Sequence, residues 1–262
     1  MPTPAGLPAA AAIPLRGLLT GPARPAVLRG VFRTALYVDV DGEVVAVVTA
    51  DALRLPCALV LAAHSSSTPF AGIRRGGTAT VGDGAVFAGD QRFVVRRWWH
   101  PRRARTVHPG PGLATRSGAL AALLPPPPFP RNGDGLAPAG LVGLGPGLTP
   151  AGDDFLAALL LTLTAAPSAA RQLDRIATTT ASLLPRTTAL SATLIRHAAA
   201  GRGIPQVLDL VDAVTGAGDL EAAALRLLGV GHSSGPALAH GVLEAIRLVN
   251  AASADPCPAR VA

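Results

Sequence analysis

The run GLGPGLTPAGDDFLAALLLTL, from Gly143 to Leu163, places four glycines, two prolines, Thr149 and the adjacent Asp153 and Asp154 directly ahead of a strongly apolar stretch. The apolar part reads as a buried helix, with Thr149 as its N-cap and Pro150 at its first position, over 148–166. Working toward the C-terminus, the punctuation stays helical. Segments 171–184, 188–200, 205–215, 220–228 and 236–250 are each bounded by Pro, Gly, Asp or Thr at the ends where helices start or stop. The second half therefore reads as an all-helical domain.

Working toward the N-terminus, the period changes. VLRGVFRTALYVDV from Val27, the turn Asp41-Gly42 and EVVAVVTA form a hairpin pattern. CALVLAA (57–63), TATVGDGAVFAG (78–89) and QRFVVRRWW (91–99) add strand-like runs separated by Gly, Asp and Ser. The expected fold class is α+β, with a small N-terminal antiparallel β domain, as a sheet or open barrel, followed by an all-helical C-terminal domain. The expected divisions are an extension at 1–26, the β-rich domain at 27–103, a Pro/Gly-rich connector at 104–140, the helical domain at 141–250 and a tail at 251–262. The connector contains PPPPFPRNGDG, whose prolines forbid helix and central strand.

Composition narrows the chemistry. All 23 basic residues are arginine, so a lysine Schiff base, a lysine general base and a P-loop lysine are excluded. An anion must be held by arginine, backbone N–H groups or a metal. The net charge of +7 does not by itself indicate nucleic acid, because the arginines are dispersed apart from the group between Arg96 and Arg105 and aromatics are only 3%. Cys57 and Cys257 have neither zinc-site spacing nor the density of a disulfide scaffold. With a poor match to a signal peptide and an apolar run too short to cross a bilayer, the chain reads as cytoplasmic, with no membrane partner.

Two loops resemble each other, GPGLTPAGDD (145–154) and GHSSGPAL (231–238), each joining glycine, hydroxyls and an early proline. Glycines turn backbone N–H groups outward, and the first helical turn adds free donors in a positive field, a combination that binds oxyanions. A helix cap needs one polar residue rather than Gly143, Gly145, Gly147 and Gly152 together, so the first loop reads as a site. Successive helical residues diverge by about 100°. One of Asp153 and Asp154 is therefore expected to face a cleft while the other holds the loop. Thr188 and Ser191 share a helix face and are candidates for the cleft wall, although hydroxyls there can equally bond the preceding turn. His232, in the second loop, is the candidate general base, without a visible acidic partner.

GLGPGLTPAGDDFL, TTALSATL and the final GHSSG resemble the AllH-like family, named for a subunit of the oxamate carbamoyltransferase of anaerobic allantoin breakdown. The resemblance covers the helical half and implies carbamoyl transfer between carbamoyl phosphate and oxamate, or phosphorolysis of oxalurate, carried out with other protein subunits. It implies a main site loop of Gly145, Gly147, Thr149, Gly152, Asp153 and Asp154, with Thr188, Ser191, Ser233, Ser234 and Gly235 beside it. Asp153, Asp154 and His232 are the catalytic candidates. Ala151 stands where family members often carry serine. The expected ligand is a small carboxylate or acyl phosphate, with Mg²⁺ the one cofactor considered and no metal ligands assigned. The alternative is a non-catalytic metabolite-binding or scaffold subunit whose catalytic residues lie in another chain.

Overall fold

The computed structural model describes residues 6–129 and 137–254. The 130–136 part of the expected connector, Cys257 and the expected tail beyond Ala254 lie outside the described residues. The chain divides into two units, Met1–Pro101 with Ala192–Leu194, and Arg102–Ser191 with Ile195–Ala262.

The first unit corrects the expected fold class. Eight strands, β1 (Leu7–Ala12), β2 (Arg24–Val31), β3 (Ala35–Val40), β4 (Glu43–Val48), β5 (Ala58–Leu61), β6 (Thr78–Gly82), β7 (Ala85–Ala88) and β8 (Gln91–Trp99), close into a barrel in the order β1-β5-β4-β3-β2-β6-β7-β8. The fold is a closed barrel with nine helices among the described residues, mixed α/β, and not a small open antiparallel domain followed by helices alone. Closure depends on β1, inside the expected extension. It runs antiparallel to β5 on one side and parallel to β8 on the other, and β4 and β5 make a second parallel pair. Hairpin signals report only antiparallel neighbours, so these two pairings were invisible to them. The hairpin at Asp41-Gly42 does form: both residues have positive φ, and Val40 pairs with Glu43. Leu36, Val38, Val45, Val47, Leu59, Val81, Val86 and Phe93 are buried in the barrel unit. Asp39, at the β3 end, accepts from Arg29 at 2.6 Å and from the Gly42 N–H at 2.8 Å.

A short helix, α1 (Arg16–Thr20), belongs to the barrel unit. The remaining helices are α2 (Pro111–Leu123), α3 (Pro138–Leu141), α4 (Ala151–Thr164), α5 (Ala170–Leu183), α6 (Ala189–Ala199), α7 (Pro205–Val214), α8 (Leu220–Leu228) and α9 (Ser234–Ala254). α2 lies within the stretch expected to be a connector. Its Arg116 caps the end of α7 by donating to the Val214 and Thr215 carbonyls at 2.9 and 3.2 Å. α4 is central, buried at every position from Ala151 to Leu163 except Ala157. α9 packs against it so closely at Gly241 that a Cβ there would overlap the Phe155 carbonyl oxygen. No single helix among the described residues is long and apolar enough to cross a membrane.

Candidate functional site

The loop ahead of α4 is built by glycines in conformations other residues avoid. Gly143, Gly145 and Gly147 have φ of 77°, 114° and 94°. This alternation lets the chain double back, and Gly152 then passes under the loop, where a Cβ would collide with the Leu141 carbonyl oxygen. The Gly152 N–H donates to Leu144 O at 2.9 Å, closing the turn. The backbone N–H groups of Gly145, Gly147, Leu148 and Thr149 donate to no acceptor among the described residues. Gly145 and Gly147 are exposed.

The two aspartates divide the work. Asp153, 1% exposed, accepts from the Gly143 N–H at 2.9 Å through one oxygen and from the Thr187 hydroxyl through the other, in a short hydrogen bond. It ties the loop to the entrance of α6. Asp154 is 7% exposed, and its Oδ2 is buried without a hydrogen-bond partner. Burial pushes its carboxyl up to about 7; the Asp153 charge adds to this, and the hydroxyls of Ser234 and Thr149 pull it back. Thr149 Oγ1 lies 3.4 Å from Ser234 Oγ. The start of α4, the glycine loop and the start of α9 therefore meet at one incompletely satisfied carboxyl group.

Thr149 is not the N-cap of α4. That position belongs to Pro150, whose carbonyl accepts from the Asp153 and Asp154 N–H groups, because the Thr149 side chain turns to Ser234 instead. Thr188 is a true cap: its hydroxyl accepts from the Ser191 N–H at 3.0 Å and donates to Leu148 O at 2.6 Å. Ser191 Oγ reaches the same carbonyl at 3.4 Å. These hydroxyls support the loop from behind rather than bonding the preceding turn of their own helix. Gly235 is a packing position, since a Cβ there would overlap the Leu227 carbonyl oxygen. Ser233 is half-buried and its carbonyl accepts from the Ala237 N–H. His232 is exposed, with no side-chain hydrogen bond or ion pair among the described residues, so the structure does not bring it to Asp154. Thr187 and Leu148 O complete the framework; the Thr187-Thr188 pair at a helix start was the only sequence signal for the first, and a carbonyl leaves none.

No group of three or more His, Cys, Asp or Glu side chains suited to a metal ion occurs among the described residues. Both Asp153 oxygens are already engaged, leaving Asp154 as the one loop carboxylate with a free oxygen. A dedicated Mg²⁺ cage, which needs several oxygen ligands in octahedral array, does not fit these residues.

Residues 141–246 match the family model of the oxamate carbamoyltransferase subunit AllH. No curated protein and no solved structure matches the chain. The AllH match takes in the glycine loop, both aspartates, the capped start of α6 and the start of α9, and leaves the barrel strands outside it.

Proposed function

We propose that the chain is a subunit of a carbamoyltransferase-like enzyme acting on small carboxylate and carbamoyl phosphate metabolites of the oxamate and oxalurate type. The observation that carries this reading is Asp154, a buried carboxyl with an unpartnered oxygen, set beside a loop whose amides at Gly145, Gly147, Leu148 and Thr149 have no internal acceptor. Free N–H donors in a glycine loop ahead of a helix start are suited to a carboxylate or phosphate oxygen. A carboxyl that titrates near neutrality serves at the same pH as hydrogen-bond acceptor for a substrate N–H and as proton carrier.

In the proposed reaction the oxamate nitrogen attacks the carbonyl carbon of carbamoyl phosphate. The N–C bond forms, the C–O bond to phosphate breaks with its electron pair leaving on phosphate, and Asp154 takes the proton lost by nitrogen. Asp153, Thr187, Thr188 and Ser191 act as positioning residues that fix the loop. The AllH match over residues 141–246 supports this assignment to a subunit that works with other chains.

The test is thermal denaturation of the full chain with oxamate, oxalurate or carbamoyl phosphate. A ligand at a hundredfold excess over its Kd stabilises the folded state by about 2.7 kcal/mol. The expected result is a shift with at least one of the three that is lost in Asp154→Asn and kept in Gly118→Ala, a change on the exposed face of α2. No shift in the native chain, or an undiminished shift in Asp154→Asn, overturns the proposal. Turnover by the chain alone against turnover only after addition of other subunits separates a complete enzyme from a metabolite-binding subunit.

A further inference from the structure

The barrel unit carries a concavity that the reading above does not use. It is a hollow of about 480 Å³ over the seam where β1 joins β5 and β8. Small side chains, among them Pro8, Ala10 and Ala62, leave the sheet surface low at this point. Arg54, Arg96, Arg97, Trp98 and Trp99 surround it. The register shift between Ala9 and Ala10 opposite β8 leaves Arg96 as an extra residue, since Ala9 pairs with Val95 and Ala10 with Arg97.

Two features of this hollow bear on what it could hold. Arg54, Arg96 and Arg97 line it together and none of them has an ion pair among the described residues. The Trp99 indole N–H is buried with no acceptor. A mostly apolar concavity of this size with a few convergent donors is what a small ligand requires. Three uncompensated guanidinium groups call for an anion, and their planar fork matches phosphate oxygens. Trp98 and Trp99 are adjacent in β8 and point to opposite faces, and Arg16 already lies 5.6 Å from the Trp98 ring centre, so the Trp99 indole is the one left to meet a flat ring.

We infer that this hollow binds a free nucleoside phosphate, its base against Trp99 and its phosphate on the arginines. An acidic peptide is the poorer occupant because the closed barrel offers no free strand edge for its backbone. A single-stranded nucleic acid would need a groove that tracks several nucleotides, and the hollow is of one-nucleotide size.

Trp98 and Trp99 are the only tryptophans in the chain, so a tryptophan-fluorescence change lost in Trp99→Phe and kept in Trp98→Phe reports on this place. Full-length protein is titrated with AMP, UMP, adenosine, inorganic phosphate and a single-stranded oligonucleotide. Saturable quenching by a nucleoside monophosphate is expected, weaker with adenosine and absent with phosphate. Removing one guanidinium in Arg54→Ala or Arg97→Ala should weaken the nucleotide about tenfold while circular dichroism is unchanged. Absence of quenching by either monophosphate overturns the inference, as does quenching indifferent to both arginine variants. Response to the oligonucleotide alone, with a salt slope that grows with its length, identifies general electrostatic attraction and also overturns it. None of these outcomes depends on Asp154 or on the carbamoyl-transfer reading.

Discussion

Replacing Asp154 by Asn tests the central physical statement about the loop, that folding imposes a proton on this carboxyl. Its ordinary value of 3.8 is raised to about 7 in the folded chain. Between these values the native state holds a proton that the unfolded state has released, so stability is fully present below about pH 4 and is lost as pH rises through about 7. Each unit is worth about 1.4 kcal/mol, which makes the whole effect about 4 kcal/mol, and most of it falls between pH 5 and pH 8, at about 2–3 kcal/mol. Asn keeps the shape and a donor but has no proton to lose. Urea denaturation of both proteins at pH 5 and pH 8, followed by helical circular dichroism, gives four free energies. Their double difference cancels every other titrating group. Asp154→Asn should gain about 2–3 kcal/mol on the native chain between the two pH values. A difference between the proteins that stays constant within about 0.5 kcal/mol would refute the claim that burial dominates at Asp154.

Two further perturbations test the packing and the buried histidine of the helical unit. Gly241→Ala sets a Cβ against the Phe155 carbonyl oxygen and 2.9 Å from Ala158 Cβ, where neither backbone can yield cheaply. It should lower stability by about 3 kcal/mol, whereas Gly118→Ala, at an open helical position, should raise it by about 0.5–1 kcal/mol; equal urea midpoints would remove the close α4–α9 crossing from the account. His197 is buried and held down to about 4 by desolvation, with Arg202 and Arg196 adding to it, so the unfolded state takes up a proton first as pH falls. Its contribution is therefore complete above about pH 6.5 and lost down to about pH 4, and His197→Asn should flatten that limb of the stability profile by up to about 3 kcal/mol, with an unchanged limb as the contrary result.

The helices from α4 onward were legible because their boundaries are set by neighbours in sequence, whereas α2 lies in the stretch read as a connector. Pro185 ends one pattern, Thr188 starts the next, Gly201 and Gly216 close two more, and the structure has α5, α6 and α7 between them. Barrel closure was not legible. The strand that makes it, LPAAAA, has none of the β-branched or aromatic residues that mark strands, and its partners lie about fifty and ninety positions away. Its alanines suit a crowded seam, a requirement set by packing rather than propensity. At the loop, the angular separation of adjacent helical residues anticipated different directions for Asp153 and Asp154, and Asp153 does hold the loop. The partner that completes this hold, Thr187, and the shared acceptor Leu148 O depend on how α6 meets the loop. His232 looked well placed because glycine and serine surround it, but a glycine-rich turn exposes a side chain as readily as it aims one.

The position of Asp154 argues against reading the pair as mere helix-end electrostatics. A carboxylate placed to complement a helix dipole works best ionised, at the helix start, with its oxygens on N–H groups or water. Asp153 satisfies the hydrogen-bond part of that description, through Gly143 rather than through its own helix. Asp154 does not: burial favours its neutral form, one oxygen has no partner, and the hydroxyls of Thr149 and Ser234 only partly offset the desolvation. An apolar side chain of similar volume would avoid that penalty. The surrounding packing is tight enough at Gly152, Gly235 and Gly241 to hold such a residue in place against its own preference for water. Conflict between local preference and fold, maintained by close-packed glycines next to free amide donors, is the pattern expected where a ligand supplies the missing hydrogen bonds. Binding would then relieve the strain that folding leaves, so a bound donor or anion and the Asp154 proton must be thermodynamically linked.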